Sequence, residues 1–231
     1  MPFLLFDAQN RASISNRNTA AGSCQDLDTQ SCSVKKTRRY TLRARAASQA
    51  ETRQRIVEAA VELHRKLGPA ETSRTAVADR AGVQRHTLYR HFPTEADLLR
   101  ACRDHFVGTH PFPDPAGWTK LAPGPDRLRA ALRELYGYYA TNREMLGNVL
   151  RDSDRLPVGV GFREGMARAA VVLAAGWPAA RSTSARAALE LAVDFYTWRS
   201  LADASRLEPA TAAALISRMV SALLRERTAA R

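Results

Sequence analysis

The chain reads as all-α, with an N-terminal helix-turn-helix domain ahead of a C-terminal helical bundle. Three observations predict this. Apolar residues recur at helical spacing through most of the chain after Ser48, without alternating strand patterns. Gly and Pro cluster between the periodic segments and punctuate them. Residues 77–92 then read as a helix, a sharp turn at Gly82 and a second short helix. That is the outline of a helix-turn-helix, whose second helix can enter the DNA major groove.

Each element has its own signal. Residues 1–34 are rich in Ser, Asn, Gln and Thr with little periodicity, which predicts disorder; a leader from a misplaced start codon would look the same. Lys35, Lys36, Arg38, Arg39, Arg43 and Arg45 follow as a basic run. This run is either an arm that touches phosphates or a minor groove, or a solvated tail. Residues 1–47 are thus expected to be a disordered, partly basic extension. Ser48 and Glu51 have capping-box spacing for a first helix, and Ile56, Ala60, Leu63 and Leu67 continue its apolar side. Gly68-Pro69 is its stop signal. Ser73 can cap a second helix that turns Val77, Ala78 and Ala81 inward. Gly82 supplies the backbone freedom for the turn, and Val83 plugs it. A third helix covers about 85–92, with Leu88 and Phe92 kept for the core. Pro93 and Thr94 open a fourth, with Thr94 and Asp97 again at capping-box spacing and Leu98, Leu99, Cys102 and Phe106 on its apolar side.

The head is therefore predicted over 48–108. From Gly108 to Pro125 five prolines prevent a long helix and mark a loop or domain boundary. Helices are then expected at about 126–141, 143–154, 161–175, 183–204 and 209–227, forming a second domain over 109–231.

Composition narrows the function. No uncharged apolar run approaches ~20 residues, so no membrane span is expected. The opening Met1 to Phe6 is apolar but short, lacks a basic n-region and meets Asp7 at once, which makes a poor signal peptide. Cys24, Cys32 and Cys102 are too few for a disulfide scaffold; reduced thiols in a cytoplasm are the simplest expectation. Net charge is +12, and its distribution matters more than its size. Residues 35–109 hold 16 basic and 8 acidic side chains, against 2 and 3 in residues 1–34 and 17 and 12 in residues 110–231. The excess surrounds the helix-turn-helix, as binding to a polyanion requires. Cys102 and His105 at i, i+3, with His86 and His91 upstream, raise the question of a metal or thiol site. No cysteine pair or carboxylate cluster completes it, and no phosphate loop or nucleophile elbow is present. The expectation is a non-enzyme with no cofactor and no metal.

Arg85 and Arg90 are the longest donors on the third helix, and an Arg facing the groove can grip guanine through two parallel hydrogen bonds worth ~1–3 kcal/mol of discrimination. His86 could donate to a base or a phosphate. Ser73 and Thr75 could bring hydroxyls and backbone N–H groups to phosphate. Each residue alone would suit a solvated surface equally well; their grouping after a Gly turn favours DNA.

Residues 53–106 resemble the DNA-binding domain of TetR-type (tetracycline-repressor-like) transcriptional regulators. The resemblance rests on Arg55-Ile56, Ala59-Ala60, Gly68, Val77-Ala78, Ala81-Gly82-Val83, Thr87-Leu88-Tyr89, His91-Phe92 and Leu98-Leu99. It implies backbone contacts from Thr87, Tyr89 and His91. The full DNA-facing set is Ser73, Thr75, Gln84, Arg85, His86, Thr87, Tyr89, Arg90, His91 and Thr94. Three residues depart from the family pattern. Gln84 stands where Ser is usual, His86 where a small residue is common, and Glu95 where a Lys usually lies near phosphate. The resemblance also implies a homodimer on palindromic double-stranded operator DNA, its recognition helices about 34 Å apart. Leu189, Val193, Tyr196 and Leu201 on one helix, with Leu215, Met219, Ala222 and Leu223 on the next, are the expected interface. Phe106, Tyr136, Tyr139, Met145, Phe162, Met166, Trp177, Phe195 and Trp198 are the expected lining of a site for a small-molecule ligand. The expected function is a repressor released from its operator by that ligand; a constitutive dimeric DNA-binding protein or an activator is the alternative.

Overall fold

The computed structural model describes residues 29–229, with side chains over 43–225. Expectations that fall on residues 1–28, Cys24 among them, lie outside the described residues, as does the side chain of Cys32. The described chain is helical throughout its regular elements, with no strand among the described residues. No single described helix is long and apolar enough to cross a membrane.

The first helix, α1 (Thr29–Lys66), starts well before the predicted Ser48. This corrects the reading of residues 29–47 as unstructured. Thr52 Oγ1 donates to the Ser48 carbonyl at 2.8 Å, an interior i−4 bond rather than a cap. The reason is local: residues 29–66 contain neither Gly nor Pro and are rich in Ala, Arg, Leu, Lys, Gln and Glu, all strong helix formers. Ser48–Arg231 form one compact unit, and the residues before Ser48 belong to another.

Within the compact unit, α2 (Arg74–Ala81) is capped by Ser73, whose Oγ accepts from the Ala76 N–H at 3.1 Å. Gly82 ends it in the left-handed region at φ 64°, which only Gly adopts without steric cost, and Val83 N–H closes the turn on the Ala78 carbonyl at 3.0 Å. Then come α3 (Arg85–His91) and α4 (Glu95–Thr109). The predicted capping box at α4 is complete: Asp97 N–H donates to Thr94 Oγ1 at 3.1 Å, and Thr94 N–H to Asp97 Oδ2 at 3.2 Å. Ile56, Ala60, Val77, Ala78, Leu88, Phe92 and Leu98 bury together as the core of this head.

The proline-rich segment holds one unpredicted turn of helix, α5 (Pro115–Trp118). Pro115 fits a first helical position, where its missing N–H has no role, and Asp114 accepts from Ala116 N–H at 3.0 Å. The bundle follows as α6 (Pro125–Thr141), α7 (Arg143–Asp152), α8 (Val160–Ala174), a 3-10 turn (Pro178–Arg181), α9 (Thr183–Val193), α10 (Phe195–Ala204) and α11 (Pro209–Ala229). The expected single helix over 183–204 is broken at Asp194. Its extended backbone and its carboxylate, which accepts from Tyr196 N–H at 2.7 Å and Thr197 N–H at 3.3 Å, start a new helix there.

The helix α7 joins the bundle to the head. Its side chains bond carbonyls at the end of α1, where a helix runs out of N–H partners of its own. Asn148 Nδ2 donates to Arg65 O at 2.7 Å and His64 O at 3.3 Å, and Arg151 Nη2 donates to Leu67 O at 2.8 Å. Asp152, buried, accepts from Ala70 N–H at 2.9 Å and from Arg151 Nε at 2.8 Å. Burial works to raise its carboxyl, but the Arg151 and Ala70 hydrogen bonds hold it below the ordinary value. Gly68, at φ 99°, leaves room here; a Cβ would run into the Arg151 guanidinium and the Asp152 carboxylate. His64 is buried beside this joint, and burial lowers its imidazole to about 4 against a smaller opposing pull from Asp152.

Candidate nucleic-acid interface

The third helix buries Leu88 and leaves Arg85, His86, Tyr89 and Arg90 exposed. Their spacing, i, i+1, i+4 and i+5, puts them on one face. Tyr89 is 49% exposed. Thr87 is half-buried at the margin. Gln84 occupies the N-cap with extended backbone and makes no side-chain cap, which leaves its amide free to face outward. Ser73, Thr75 and Thr94 flank this face at two helix starts. The Thr94 hydroxyl both donates to Asp97 and accepts from its N–H, whereas Ser73 Oγ only accepts from Ala76 N–H and keeps its O–H to donate to a phosphate. His91 is different: it is half-buried, its Nε2 is shielded without a hydrogen-bond partner, and burial followed by the charges of Arg90 and Arg53 lowers its imidazole. The structure turns it towards the head rather than placing it with the four exposed residues.

Arg74 was not identified from the sequence. It is the first residue of α2, and its guanidinium lies 4.1 Å from the centroid of the Tyr89 ring. Its Nη1 donates to the Pro93 carbonyl at 3.1 Å and its Nη2 to the Phe92 carbonyl. One side chain thus caps the end of the third helix and braces Tyr89 from below. Arg53 does a related job from α1, 4.6 Å from the Phe92 ring. An arginine at the start of a helix looks like solvated surface in a sequence; only the fold brings it across to residues 89–93.

Glu95 stands exposed in the first turn of α4 with Asp97, where acidic side chains suit the helix dipole. Hydrogen bonds from Thr94 hold the Asp97 carboxyl below its ordinary value. Cys102 is buried in the head core and burial pushes its thiol up to about 12, so it is an apolar filler and no nucleophile. Among the described residues no group of three or more His, Cys, Asp or Glu could hold a metal ion.

The nine residues expected to line one ligand site lie in separate places. Tyr136, Tyr139, Phe195 and Trp198 are buried ring against ring in the bundle core, Tyr139 lying 5.7 Å from Phe195 and 6.0 Å from Trp198. The Tyr136 and Tyr139 hydroxyls donate to the Ala192 and Val193 carbonyls at 2.8 and 2.6 Å. Phe162 and Met166 pack at the edge of that core. Trp177 lines an open pocket of about 570 Å³ between α8, the 3-10 turn and α9. Phe106 and Met145 line another, of about 510 Å³, between the head and the bundle. The expected dimer stripe divides in the same way. Leu189 and Val193 are fully buried in the protomer's own core, which removes them from any interface; Leu201, Leu215 and Ala222 are half-buried. Tyr196, Met219 and Leu223 remain exposed, joined by Leu191 at 64%, which lies two residues along α9 from Leu189 and so off its buried side.

The family "Bacterial regulatory proteins, tetR family" matches residues 56–102. HTH-type transcriptional regulator TtgR of Pseudomonas putida is 42% identical over 60 residues, covering 26% of this chain and 29% of that protein. Probable HTH-type transcriptional regulator ArpR, also of Pseudomonas putida, matches to the same extent. The chain thus aligns with less than a third of the length of either relative. Among solved structures, NalD, the secondary repressor of the MexAB-OprM multidrug efflux pump in Pseudomonas aeruginosa, shows 21% identity with a TM-score of 0.49, covering 74% of this chain and 95% of its own. A TetR transcriptional regulator from Rhodococcus sp. RHA1 shows 24% identity with a TM-score of 0.34, covering 77% of this chain and 97% of its own.

Proposed function

We propose that this chain, a member of the TetR family of bacterial regulatory proteins through residues 56–102, is a sequence-specific DNA-binding transcriptional repressor released from a palindromic operator by a small molecule. The observation that carries the reading is the exposed face of Arg85, His86, Tyr89 and Arg90 on a short helix after the Gly82 turn. Arg85 and Arg90 read base edges, Tyr89 and Thr87 contact phosphate, and the basic excess of residues 35–109 supplies the sequence-independent attraction. A homodimer presents two such helices to two half-sites. The exposed Leu191, Tyr196, Met219 and Leu223 support an interface on the last three helices. The packed aromatic centre of the bundle favours a second reading, a constitutive dimeric DNA-binding protein without a ligand in that core.

The test is a gel shift with the intergenic DNA beside the protein's own gene, in rising salt. Specific binding that weakens with salt is expected; binding that ignores sequence at every salt level would sink the specific-regulator reading. In the same assay Arg85→Ala should change sequence preference, with ~1–3 kcal/mol of discrimination lost at one base pair. Tyr89→Phe should weaken all sequences about equally. If both leave affinity and preference unchanged, another face of the head meets the DNA.

A further inference from the structure

We propose that residues 29–47 of α1 are a second nucleic-acid-binding element, a basic helix that follows the phosphate backbone of duplex DNA without reading its bases. The proposal deepens the DNA-binding reading above and rests on it for the choice of partner. Residues 29–50 carry six cations, Lys35, Lys36, Arg38, Arg39, Arg43 and Arg45, and no carboxylate. The acids on either side do not cancel them, because residues 26–55 hold eight basic and three acidic side chains. Arg43 and Arg45, whose side chains are described, are exposed and form no ion pair.

The helix sets the spacing of these charges. It runs unbroken through Thr29–Lys66. At about 100° per residue, the six cations fall within one half of its circumference. Lys35 to Arg45 covers about 15 Å of axis. The charges therefore recur about every 3 Å, close to the ~3.4 Å between phosphates along one strand. Lys35 and Arg39, and Arg39 and Arg43, stand at i, i+4, a spacing at which like charges destabilise a helix. A polyanion alongside turns that repulsion into attraction.

Two other readings fit less well. A helix about 10–12 Å across with its side chains does not enter a minor groove about 6 Å wide, which excludes a groove-inserted arm. A helix that lies on a membrane needs large apolar residues opposite its cations. The other half of this one carries Val34, Thr37, Tyr40, Thr41, Ala44 and Ala47, and Leu42 falls among the cations. A rod-like polyanion matches this pattern and a bilayer does not.

The test uses the full chain and two full-length variants. One carries Lys35→Gln, Lys36→Gln, Arg38→Gln, Arg39→Gln, Arg43→Gln and Arg45→Gln, which keeps good helix formers and removes the charge. The other exchanges Lys for Arg and Arg for Lys at the same six positions. Fluorescence anisotropy of a labelled random-sequence duplex of about 30 base pairs is read from about 50 to 200 mM salt. In the Gln variant the slope of log affinity against log salt should be shallower by at least about 2, and affinity at the lowest salt at least about tenfold weaker. The charge-conserving variant should match the wild type. Equal slopes in the wild type and the Gln variant, or an equal loss in the charge-conserving one, would overturn the element. So would a difference abolished by netropsin on an A·T-rich duplex, which would place the segment in the minor groove. Co-sedimentation with phosphatidylglycerol vesicles, lost in the Gln variant while the DNA slopes stay equal, would assign it to a membrane surface instead. The ratio of affinities for the intergenic and random duplexes should be the same in all three proteins; a changed ratio overturns the claim that the segment reads no bases. If none of the three prefers the intergenic duplex, the sequence-specific reading fails, while the slopes still decide this element.

Discussion

The head has two sides that differ in how their polar groups are satisfied. On one, Arg85, His86 and Arg90 stand exposed on α3 with no hydrogen bond or ion pair to the rest of the described protein, and Tyr89 rests only on Arg74. On the other, Asn148 and Arg151 bond the His64, Arg65 and Leu67 carbonyls and Asp152, itself buried, accepts from the Ala70 N–H. A buried polar group must find its partners within the fold, because an unsatisfied one costs ~1–3 kcal/mol. An exposed donor on a short helix is under no such demand and is available to an external anion. The joint is therefore where substitutions should be read in stability, and the α3 face where they should be read in binding.

The largest expected effect tests the joint. His64 is neutral in the folded protein, with its imidazole lowered to about 4, whereas in the unfolded chain it titrates near the ordinary 6.5. Between those values the unfolded state takes up the proton and the folded state does not. Its contribution is thus full above pH 6.5 and is lost as pH falls to 4, by about 3 kcal/mol. Urea midpoints measured across that range should show the loss, and His64→Gln should flatten it; an identical slope in the variant would show that His64 is not the titrating group. Asp152 acts in a lower window: its depressed carboxyl stabilises above the ordinary carboxylate range and is lost only as pH falls below about 4.

Arg74→Ala sharpens the comparison, because Arg74 serves the binding face while making structural contacts. Losing its bonds to the Phe92 and Pro93 carbonyls should cost about 1–2 kcal/mol of stability. Duplex affinity should fall by more than that of Tyr89→Phe at every sequence, since both the helix end and the Tyr89 ring are released. Affinity that matches Tyr89→Phe would reduce Arg74 to a surface residue. Thr94→Ala removes the capping box at α4 and should cost about 1 kcal/mol in thermal or urea unfolding, without altering sequence preference. The smallest effect has the opposite sign. Gln84 sits at an N-cap with suitable extended backbone but no side-chain bond, so Gln84→Ser should stabilise the head by about 0.5–1 kcal/mol. A parallel change in DNA preference would show that the Gln84 amide also reads the operator.

Much of the head was legible because its signals are local. Ser73 and Thr94 cap helices over three or four residues, Gly82 is required by one left-handed dihedral, and the apolar positions of α2 to α4 follow helical spacing. Three readings failed, and only the last of them through contacts distant in the chain. Ser48 resembles a cap, but the helix formers upstream carry α1 through it. Asp194 interrupts a continuous apolar pattern because its carboxylate caps a new helix. Leu189 and Val193 share spacing with Tyr196 and Leu201, but an apolar stripe does not say which neighbour it faces, and the protomer's own core takes the first two.

By itself the sequence determined the all-α class, the helix-turn-helix and its exposed cationic face, because helix periods, caps and the Gly turn act within a few residues of one another. Only the tertiary structure decided that Arg74 braces Tyr89, that α7 closes the end of α1 and that the expected ligand residues divide between a packed core and two separate pockets. The physical reason is range. Hydrogen bonding and backbone sterics are settled along the chain, whereas burial and charge pairing depend on which surfaces, scores of residues apart, are brought together.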